Sequence, residues 1–213
     1  MPYRSVFCRT VAKKVSAGDF GRKSDFVVVA DRFGDVYRIP ITAAPEEAVI
    51  QPILGHFCSI ITSLIVLDDN RRLVTCDRDG VARLSILPET QSEGSYVIQH
   101  FFMGHTKFIS SAAVLNWNGR SLLATGGGDG LILLFDIETG ERCSKFDIRD
   151  SMAPSDISGP VVVSSLSACP SRWCAFAPQF GERLYMPGHW LLSLQRVPVQ
   201  FLSSRLSQAP SHS

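Results

Sequence analysis

The chain has 213 residues, which at roughly 100 to 200 residues per domain is enough for one medium or two small domains with a real core. Its 21 Lys and Arg against 20 Asp and Glu give a formal net charge of +1, and 45% of the residues are hydrophobic. These values exclude a disordered chain and a protein whose overall charge selects nucleic acid. No apolar run approaches the ~20 residues of a membrane helix. The N-terminus lacks the apolar centre of a secretory signal, so we expect no membrane association and an intracellular location.

The N-terminal segment is basic, although the chain as a whole is nearly neutral. Over residues 1–23, six basic residues stand against one acidic residue, Asp19, which gives a charge of +5. Such a cluster either contacts the phosphates of a nucleic acid or keeps an edge strand soluble, and both interpretations stay open. The basic residues are Arg4, Arg9, Lys13, Lys14, Arg22 and Lys23.

A pattern with a period of about 46 to 50 residues occurs three times along the chain. Residues 72–87 align with residues 122–137 at an offset of 50, and residues 27–41 fit the same frame at an offset of 46. A Gly-His dipeptide precedes the second and third copies, at residues 55–56 and 104–105. Self-similarity of this length is typical of repeat architectures.

Each copy consists of short β-branched or aromatic segments separated by turn residues, which predicts four β-strands per unit. An Asp-Gly turn, at residues 79–80 and again at residues 129–130, suits a tight hairpin because Asp bonds nearby N–H groups and Gly tolerates a positive φ. No segment has a convincing helical period. In the second unit the predicted strands are residues 61–67, 72–76, 81–87 and 96–102.

A four-stranded unit of about 40 to 50 residues that opens with Gly-His resembles the WD repeat of β-propellers. We therefore predict an all-β fold in which the imidazoles of His56 and His105 are buried. A buried imidazole needs a partner, and the turn carboxylates of Asp79 and Asp129 can supply it. The residues predicted to stabilise the fold in this way are His56, Asp79, Gly80, Asp129 and Gly130.

The length of the chain predicts an incomplete propeller. Seven blades at about 48 residues each need roughly 340 residues, whereas this sequence has three clear units and the start of a fourth in residues 161–184. We therefore expect about three to four of seven blades, within residues 1–185. Residues 186–213 are predicted to be a Ser/Pro-containing tail that is disordered or wrongly translated.

The sequence contains no recognisable catalytic constellation. The glycine run at residues 126–130 lacks the Gly-Lys-Ser/Thr of a phosphate-binding loop, and no nucleophile motif occurs. The close cysteine pair, Cys169 and Cys174, has no second pair with which to bind zinc. We therefore predict no catalytic residue, no metal and no cofactor, and a stand-alone enzyme is the least favoured alternative.

Five segments, in their order along the chain, resemble one branch of the WD-repeat proteins, the non-catalytic subunit of tRNA (guanine-N7-)-methyltransferase. The resemblance implies a nuclear scaffold that forms a heterodimer with a separate catalytic subunit and reaches tRNA through that complex. S-adenosylmethionine would belong to the catalytic subunit. The alternative is a general WD-repeat scaffold of another nuclear complex. The segments are residues 9–17, 28–37, 54–66, 74–85 and 102–111.

The resemblance also implies roles for particular residues. A family arginine on the strand after Asp-Arg-Asp supports the face that meets the catalytic subunit, and the second Gly-His loop falls at the same face. A basic family segment overlaps the N-terminal cluster and is expected to contact the tRNA backbone. The residues implied to bind the catalytic subunit are Arg83, His105, Thr106 and Lys107. The residues implied to contact tRNA are Arg9, Lys13 and Lys14.

Overall fold

The computed structural model describes residues 10–23, 25–41, 50–89, 94–117, 119–151, 159–169, 172–177, 182–187 and 200–201. These residues form four antiparallel sheets of four strands each, and in every sheet the strands are neighbours in chain order. The all-β prediction is confirmed: among the described residues the single helical element is a short 3-10 turn, Ile148–Ser151.

Each sheet corresponds to one blade. Blade 1 contains β1 (Val15–Phe20), β2 (Phe26–Asp31), β3 (Asp35–Pro40) and β4 (Pro52–Gly55). Blade 2 contains β5 (Ile61–Val66), β6 (Arg72–Asp77), β7 (Ala82–Ile86) and β8 (Ile98–Phe102). Blade 3 contains β9 (Ile109–Trp117), β10 (Arg120–Gly127), β11 (Leu131–Asp136) and β12 (Arg142–Asp147). Blade 4 contains β13 (Ser165–Cys169), β14 (Arg172–Ala177), β15 (Glu182–Pro187) and β16 (Gln200–Phe201).

The four strands predicted for the second unit agree with those of blade 2 to within two residues at each end. The predicted boundary between propeller and tail, after residue 185, falls inside β15, and β16 lies within the predicted tail. Residues 188–199 and 202–213 of that tail lie outside the described part of the chain. The division into propeller and tail therefore stays a prediction.

Apolar side chains between successive blades form three core clusters. Val28 and Val36 of blade 1 pack with Leu73 of blade 2, and Leu84 of blade 2 belongs to one cluster with Leu133 of blade 3. A third cluster joins strands of blade 3 to residues 161–166. β11 is covered on both faces, which explains why its first five residues are all apolar and why every residue of the strand is buried. The core therefore lies between the sheets, as stacked blades require.

Aromatic stacking strengthens the contact between blades 2 and 3. The rings of Phe102, at the end of β8, and Phe135, on β11, lie 5.2 Å apart at an interplanar angle of 51°. Such a tilted pair contributes about 0.5–1.5 kcal/mol beyond the burial of its area. Arg72 adds an ion pair across the same two blades, with its Nη1 2.8 Å from Oε1 of Glu138. Neighbouring blades are thus held by both apolar and charged contacts.

Candidate functional site

One face of the sheets carries the loops that enter each blade together with the turns between the second and third strands. We call this the loop face, and it comprises residues 10–14, 31–35, 56–60, 77–81, 104–108 and 127–130. Its loops interlock: the amide of His56 donates to the carbonyl of Gly34 at 2.9 Å. Gly34 has a φ of +92°, and a Cβ there would lie 2.3 Å from the carbonyl oxygen of His56. Each entry loop therefore fixes the turn of the blade before it.

The imidazole of His56 is buried and is bound at both nitrogens. Its Nδ1 lies 2.9 Å from Oδ2 of Asp77, and its Nε2 lies 2.7 Å from Oγ1 of Thr75. The other carboxylate oxygen of Asp77 accepts the amides of Asp79 and Val81, each at 3.0 Å. This network joins the entry loop of blade 2 to the end of β6.

The prediction that Asp79 supplies the carboxylate for His56 is wrong. Asp77 is the last residue of β6 and is buried, whereas Asp79 lies at the tip of the turn and is exposed. In blade 2 the carboxylate at the end of the strand is the one that reaches the imidazole. Gly80, at φ +85°, takes the predicted turn conformation, and a Cβ there would lie 2.7 Å from the carbonyl oxygen of Lys107. Gly80 therefore permits close contact between the turn of blade 2 and the next entry loop.

The equivalent prediction for blade 3 agrees with the structure. Nδ1 of His105 lies 3.1 Å from both carboxylate oxygens of Asp129, and its Nε2 lies 2.9 Å from Oγ1 of Thr125. Gly130 has the expected positive φ of +77°. Gly127 occupies the repeat position of Asp77, and a Cβ there would lie 2.8 Å from Nδ1 of His105. In blade 3 the carboxylate that binds the imidazole thus comes from a position two residues later in the repeat than in blade 2.

His105 is therefore part of the scaffold and is not an exposed contact residue. Its side chain is 1% exposed, and both ring nitrogens are used within blade 3. Its neighbour Thr106 is exposed, and the amide of Thr106 donates to Asp129 at 2.9 Å. Of the predicted loop residues, Lys107 is the one with an exposed charge. The loop is thus fixed to blade 3 by His105, and it exposes the charge of Lys107 to solvent.

Blade 1 contains a related network that the sequence analysis missed. Asp31, buried at the end of β2, accepts the phenolic hydroxyl of Tyr37 at 3.0 Å and the amides of Phe33 and Asp35. Burial and the hydrogen bond to Asp31 raise the pKa of Tyr37 to about 12. The offset of 46 residues aligns Asp31 with Asp77. Alignment of the repeats therefore indicates a buried carboxylate at the end of the second strand in both blades.

The carboxylates of Asp77 and Asp129 titrate below their ordinary range. Burial alone would raise both pKa values, but hydrogen bonds outweigh it: from His56, Val81 and Asp79 to Asp77, and from backbone amides and His105 to Asp129. The pKa of each carboxylate is therefore lowered. Each charge is held by donors that the fold supplies, so protonation and unfolding are coupled.

We expect the fold to lose stability in acid because of these two carboxylates. A carboxylate whose folded pKa is lowered stabilises the fold above its unfolded pKa of about 3.9, and this stabilisation is lost as the pH falls through the folded pKa. The urea midpoint should change little between about pH 7 and 5 and should fall steeply below about pH 4. Asp77→Asn should flatten that decline. An equally steep decline in the variant would contradict the assignment.

Arg83 lies on β7 and is already held in place by its neighbours. Its guanidinium lies over the ring of Phe101, 5.7 Å from the centroid, and Nη1 is 3.5 Å from the carbonyl oxygen of Gly55. Nε is buried and has no hydrogen-bond partner in the described structure. An arginine whose guanidinium plane is fixed in this way is well suited to bind a partner through its terminal nitrogens.

Exposed apolar side chains surround this part of blade 2, and sequence reasoning did not single them out. Phe57, next to His56, is 94% exposed, and Met103, next to β8, is 64% exposed. Phe101 itself is 52% exposed. Apolar groups beside a fixed arginine are typical of a protein interface. The flanks of the two Gly-His dipeptides contained this signal, because an apolar residue adjoins each of them in the sequence.

The predicted RNA-contact residues are partly within the described structure. Arg9 lies outside the described residues. The ammonium of Lys13 lies 4.9 Å from the centroid of the Phe33 ring, and the carbonyl of Lys14 accepts the amide of Arg32 at 3.0 Å. The structure thus brings Lys13 and Lys14 beside a turn of blade 1 that the sequence analysis did not connect with them.

The described residues contain no group of three or more His, Cys, Asp or Glu side chains that could hold a metal ion. None of their helices is long and apolar enough to cross a membrane. Burial raises the pKa of the Cys76 thiol, whereas Cys58 and Cys143 are free and exposed.

Four-stranded antiparallel sheets that pack against each other through apolar cores, with a His-Asp-Thr network in blades 2 and 3, define a WD-repeat protein. Solved structures support this class. The chain is similar to the crystal structure of RRP9 WD40 repeats with a TM-score of 0.63 and 12% identity, covering 83% of this chain and 49% of that chain. It is similar to the computationally designed Ika4 protein with a TM-score of 0.62 and 19% identity, covering 88% and 99% of the two chains. Similarity at this level of identity shows the fold alone.

A narrower assignment comes from the sequence family. The family described as the tRNA methyltransferase TRM82 WD40 domain matches residues 42–178, more than half of the chain. The chain therefore belongs to the TRM82 WD40 family. It is 38% identical over 133 residues to a protein of Meyerozyma guilliermondii named tRNA (guanine-N(7)-)-methyltransferase non-catalytic subunit TRM82. It is 33% identical over 156 residues to the Saccharomyces cerevisiae protein of the same name.

These matches cover 61% and 71% of this chain but 30% and 32% of the two relatives. The chain thus spans about a third of the length of the curated relatives it matches. The resemblance found in the sequence is confirmed at the level of the family.

Proposed function

We propose that this chain is a non-catalytic, blade-forming part of a tRNA (guanine-N7-)-methyltransferase, and that it binds and positions the catalytic subunit. The observation that carries the proposal is the family match over residues 42–178, together with relatives that are named as the non-catalytic subunit. S-adenosylmethionine and the reacting groups would belong to the catalytic subunit. The chain's own contribution is a rigid surface.

The structure supplies a physical basis for such a role. The buried networks of His56 and His105 fix the entry loops, so a residue carried by a loop, such as Lys107, is presented without a large entropic cost on binding. Arg83 is similarly held between Phe101 and the carbonyl of Gly55. A fixed arginine flanked by exposed apolar groups is the composition of an interface centre. We propose that the catalytic subunit binds here.

The alternative of a general WD-repeat scaffold in another nuclear complex shares this fold. The two solved structures described above are less than 25% identical to the chain, and they favour no particular partner. The two proposals differ in the protein that co-purifies. A nuclear location is part of both, and a fluorescent fusion of the full chain would test it.

Affinity purification of the tagged chain from its native cell, followed by mass spectrometry, tests the proposal. We expect a methyltransferase to co-purify, and we expect the recovered complex to form N7-methylguanosine in added tRNA when S-adenosylmethionine is supplied. The chain purified alone should show no such activity. Recovery of other proteins without a methyltransferase would overturn the proposal and favour the alternative.

A further inference from the structure

The groove between the outer strands β8 and β12 presents positive charge to solvent. Arg142 of β12 is the sheet partner of Phe135, whose ring packs against Phe102 of blade 2. Lys145 is the partner of Leu133, which belongs to the same core cluster. Because cross-strand partners share a face, both exposed cations lie on the side of blade 3 that faces blade 2. We call this the blade 2–3 groove, and it comprises His100, Gly104, Gly140, Arg142 and Lys145.

The guanidinium of Arg142 lies against the backbone of the second Gly-His dipeptide. Nη1 of Arg142 is 3.1 Å from where a Cβ on Gly104 would lie, and Cδ1 of the buried Leu133 is equally close to that point. Gly104 has a φ of +139°, a conformation that favours glycine. The missing side chain of Gly104 therefore leaves the space in which the guanidinium lies, at the edge of the core.

The backbone that carries Arg142 is held both by blade 2 and by its own turn. Nε2 of His100, on β8, donates to the carbonyl of Glu138 at 3.0 Å. The same ring fills the space beside Gly140, because its Nδ1 is 2.5 Å from where a Cβ on Gly140 would lie. Oδ1 of Asp136 accepts the amide of Glu138 at 2.9 Å. The start of β12 is thus fixed relative to β8, so little backbone freedom is lost when a partner binds there.

Arg142 repeats, in the next groove, the arrangement that Arg83 has between blades 1 and 2. Nη1 of Arg83 is 3.5 Å from the carbonyl oxygen of Gly55, the glycine of the first Gly-His dipeptide. Arg142 lies against Gly104, the glycine of the second. The two arginines come from different strands, β7 and β12, so alignment of the repeats does not equate them. Two successive grooves therefore each hold an arginine against the glycine that leads into the next blade.

The positive charge of the blade 2–3 groove is not compensated within the described structure. Arg142 and Lys145 form no ion pair with any described residue. The two acidic residues of the turn before β12 do not neutralise them. Glu138 pairs with Arg72 at 2.8 Å, and Glu141 forms no ion pair with a described residue. Charge complementarity therefore requires a negatively charged partner group in this groove.

We propose that Arg142 is a second anchor for the catalytic subunit, and that an acidic segment of that subunit binds in the blade 2–3 groove. The interface then extends over two successive grooves, and a carboxylate of the partner binds the guanidinium through two parallel hydrogen bonds. Met103, next to Gly104, is 64% exposed and offers apolar area but no ring for base stacking, which favours a protein over RNA. The inference rests on the proposed function, because it names the same partner.

Surface plasmon resonance between the full chain and the methyltransferase that co-purifies with it measures the contribution of the groove. Arg142→Ala should weaken binding about five- to thirtyfold, the loss expected for an anchoring side chain. Arg142→Lys keeps the charge but removes the planar pair of donors, and it should lose less than the alanine variant. Lys145→Ala should mainly lower the association rate, in a salt-dependent manner. All three variants should keep the urea midpoint of the parent, because both side chains are exposed.

Arg71→Ala is the matched control for the loss of an exposed arginine. Arg71 lies on the turn between β5 and β6, and its side chain is 75% exposed and directed toward Glu89. An ion pair between such exposed groups contributes little to stability. The control should bind the methyltransferase like the parent. Equal losses in Arg142→Ala and Arg71→Ala would overturn the proposal.

Three further outcomes separate this inference from the proposed function. If the parent recovers no methyltransferase from its native cell, the proposed function is wrong, and the assignment of Arg142 to that partner is wrong with it. If the parent and Arg142→Ala bind the methyltransferase alike, the role of Arg142 is wrong while the proposed function stands. If Arg142→Ala loses affinity for a labelled tRNA transcript in fluorescence anisotropy but not for the methyltransferase, the groove contacts RNA and the inference is wrong.

Discussion

Replacing Asp77 by alanine should lower the free energy of unfolding by about 3 kcal/mol or more, whereas Asp79→Ala should change it by less than about 0.5 kcal/mol. The carboxylate of Asp77 accepts hydrogen bonds from His56 and from two turn amides, and its removal leaves buried donors without partners. Asp79 contributes only its backbone amide to the same network. The two residues stand in one turn and have the same side chain, so each is the natural control for the other.

Urea unfolding of the full chain, followed by circular dichroism, measures both values. Asp77→Asn gives a milder change, because the amide oxygen still accepts hydrogen bonds, and it keeps the comparison measurable where alanine prevents folding. Thr75→Val removes the partner of Nε2 of His56 and should cost about 1–3 kcal/mol. Equal losses for Asp77→Ala and Asp79→Ala would contradict the network as described.

The architecture could be predicted because the repeat and the apolar runs are local signals. The second unit shows this well: its four strands follow from short apolar segments separated by turns, and the structure places them within two residues of the prediction. β11 is buried on both faces, and its first five residues are accordingly apolar. Pattern and burial therefore agree in this strand.

The choice between Asp77 and Asp79 could not be made from spacing. Aligning the Asp-Gly turns equates Asp79 with Asp129, and Asp129 does bind the imidazole of its blade. Which carboxylate faces inward depends on where the strand ends and on which position has room for a side chain. In blade 3 the inner position is Gly127, where a Cβ would lie too close to the imidazole, so the carboxylate comes from the outer position. Such steric selection is a property of the packed blade.

The contact between Lys13 and Phe33 illustrates a second limit. The basic segment is evident in the sequence, but no sequence signal connects it with an aromatic residue twenty positions later. The connection arises because β1 and β2 are antiparallel neighbours, with Val15 opposite Asp31, so the residues before β1 lie beside the turn after β2. Exposed groups are not constrained by burial, and their grouping depends on strand register rather than on composition.

Combining Arg83→Gln with Lys107→Glu should weaken binding of the catalytic subunit at least about hundredfold, which corresponds to about 2.7 kcal/mol. The guanidinium of Arg83 is held over Phe101 and against the carbonyl of Gly55, and its buried Nε has no partner in the described structure. Little side-chain entropy remains to be lost on binding, so the arginine can act as an anchor. Lys107 is exposed and forms no ion pair with a described residue, so reversing its charge should weaken any contact that it makes with an acidic group of the partner.

The two changes should act on different rate constants, which separates their roles. Arg83→Gln removes an anchor at the interface centre and should mainly raise the dissociation rate, whereas Lys107→Glu should mainly lower the association rate in a salt-dependent manner. Surface plasmon resonance with the catalytic subunit resolves both rates. Arg120→Gln is the control, because Arg120 is exposed at the start of β10, at the end of that strand away from the loop face. The variants should retain the urea midpoint of the parent. Unchanged rates, or a loss of binding that follows a loss of stability, would contradict the assignment of the interface to Arg83 and Lys107.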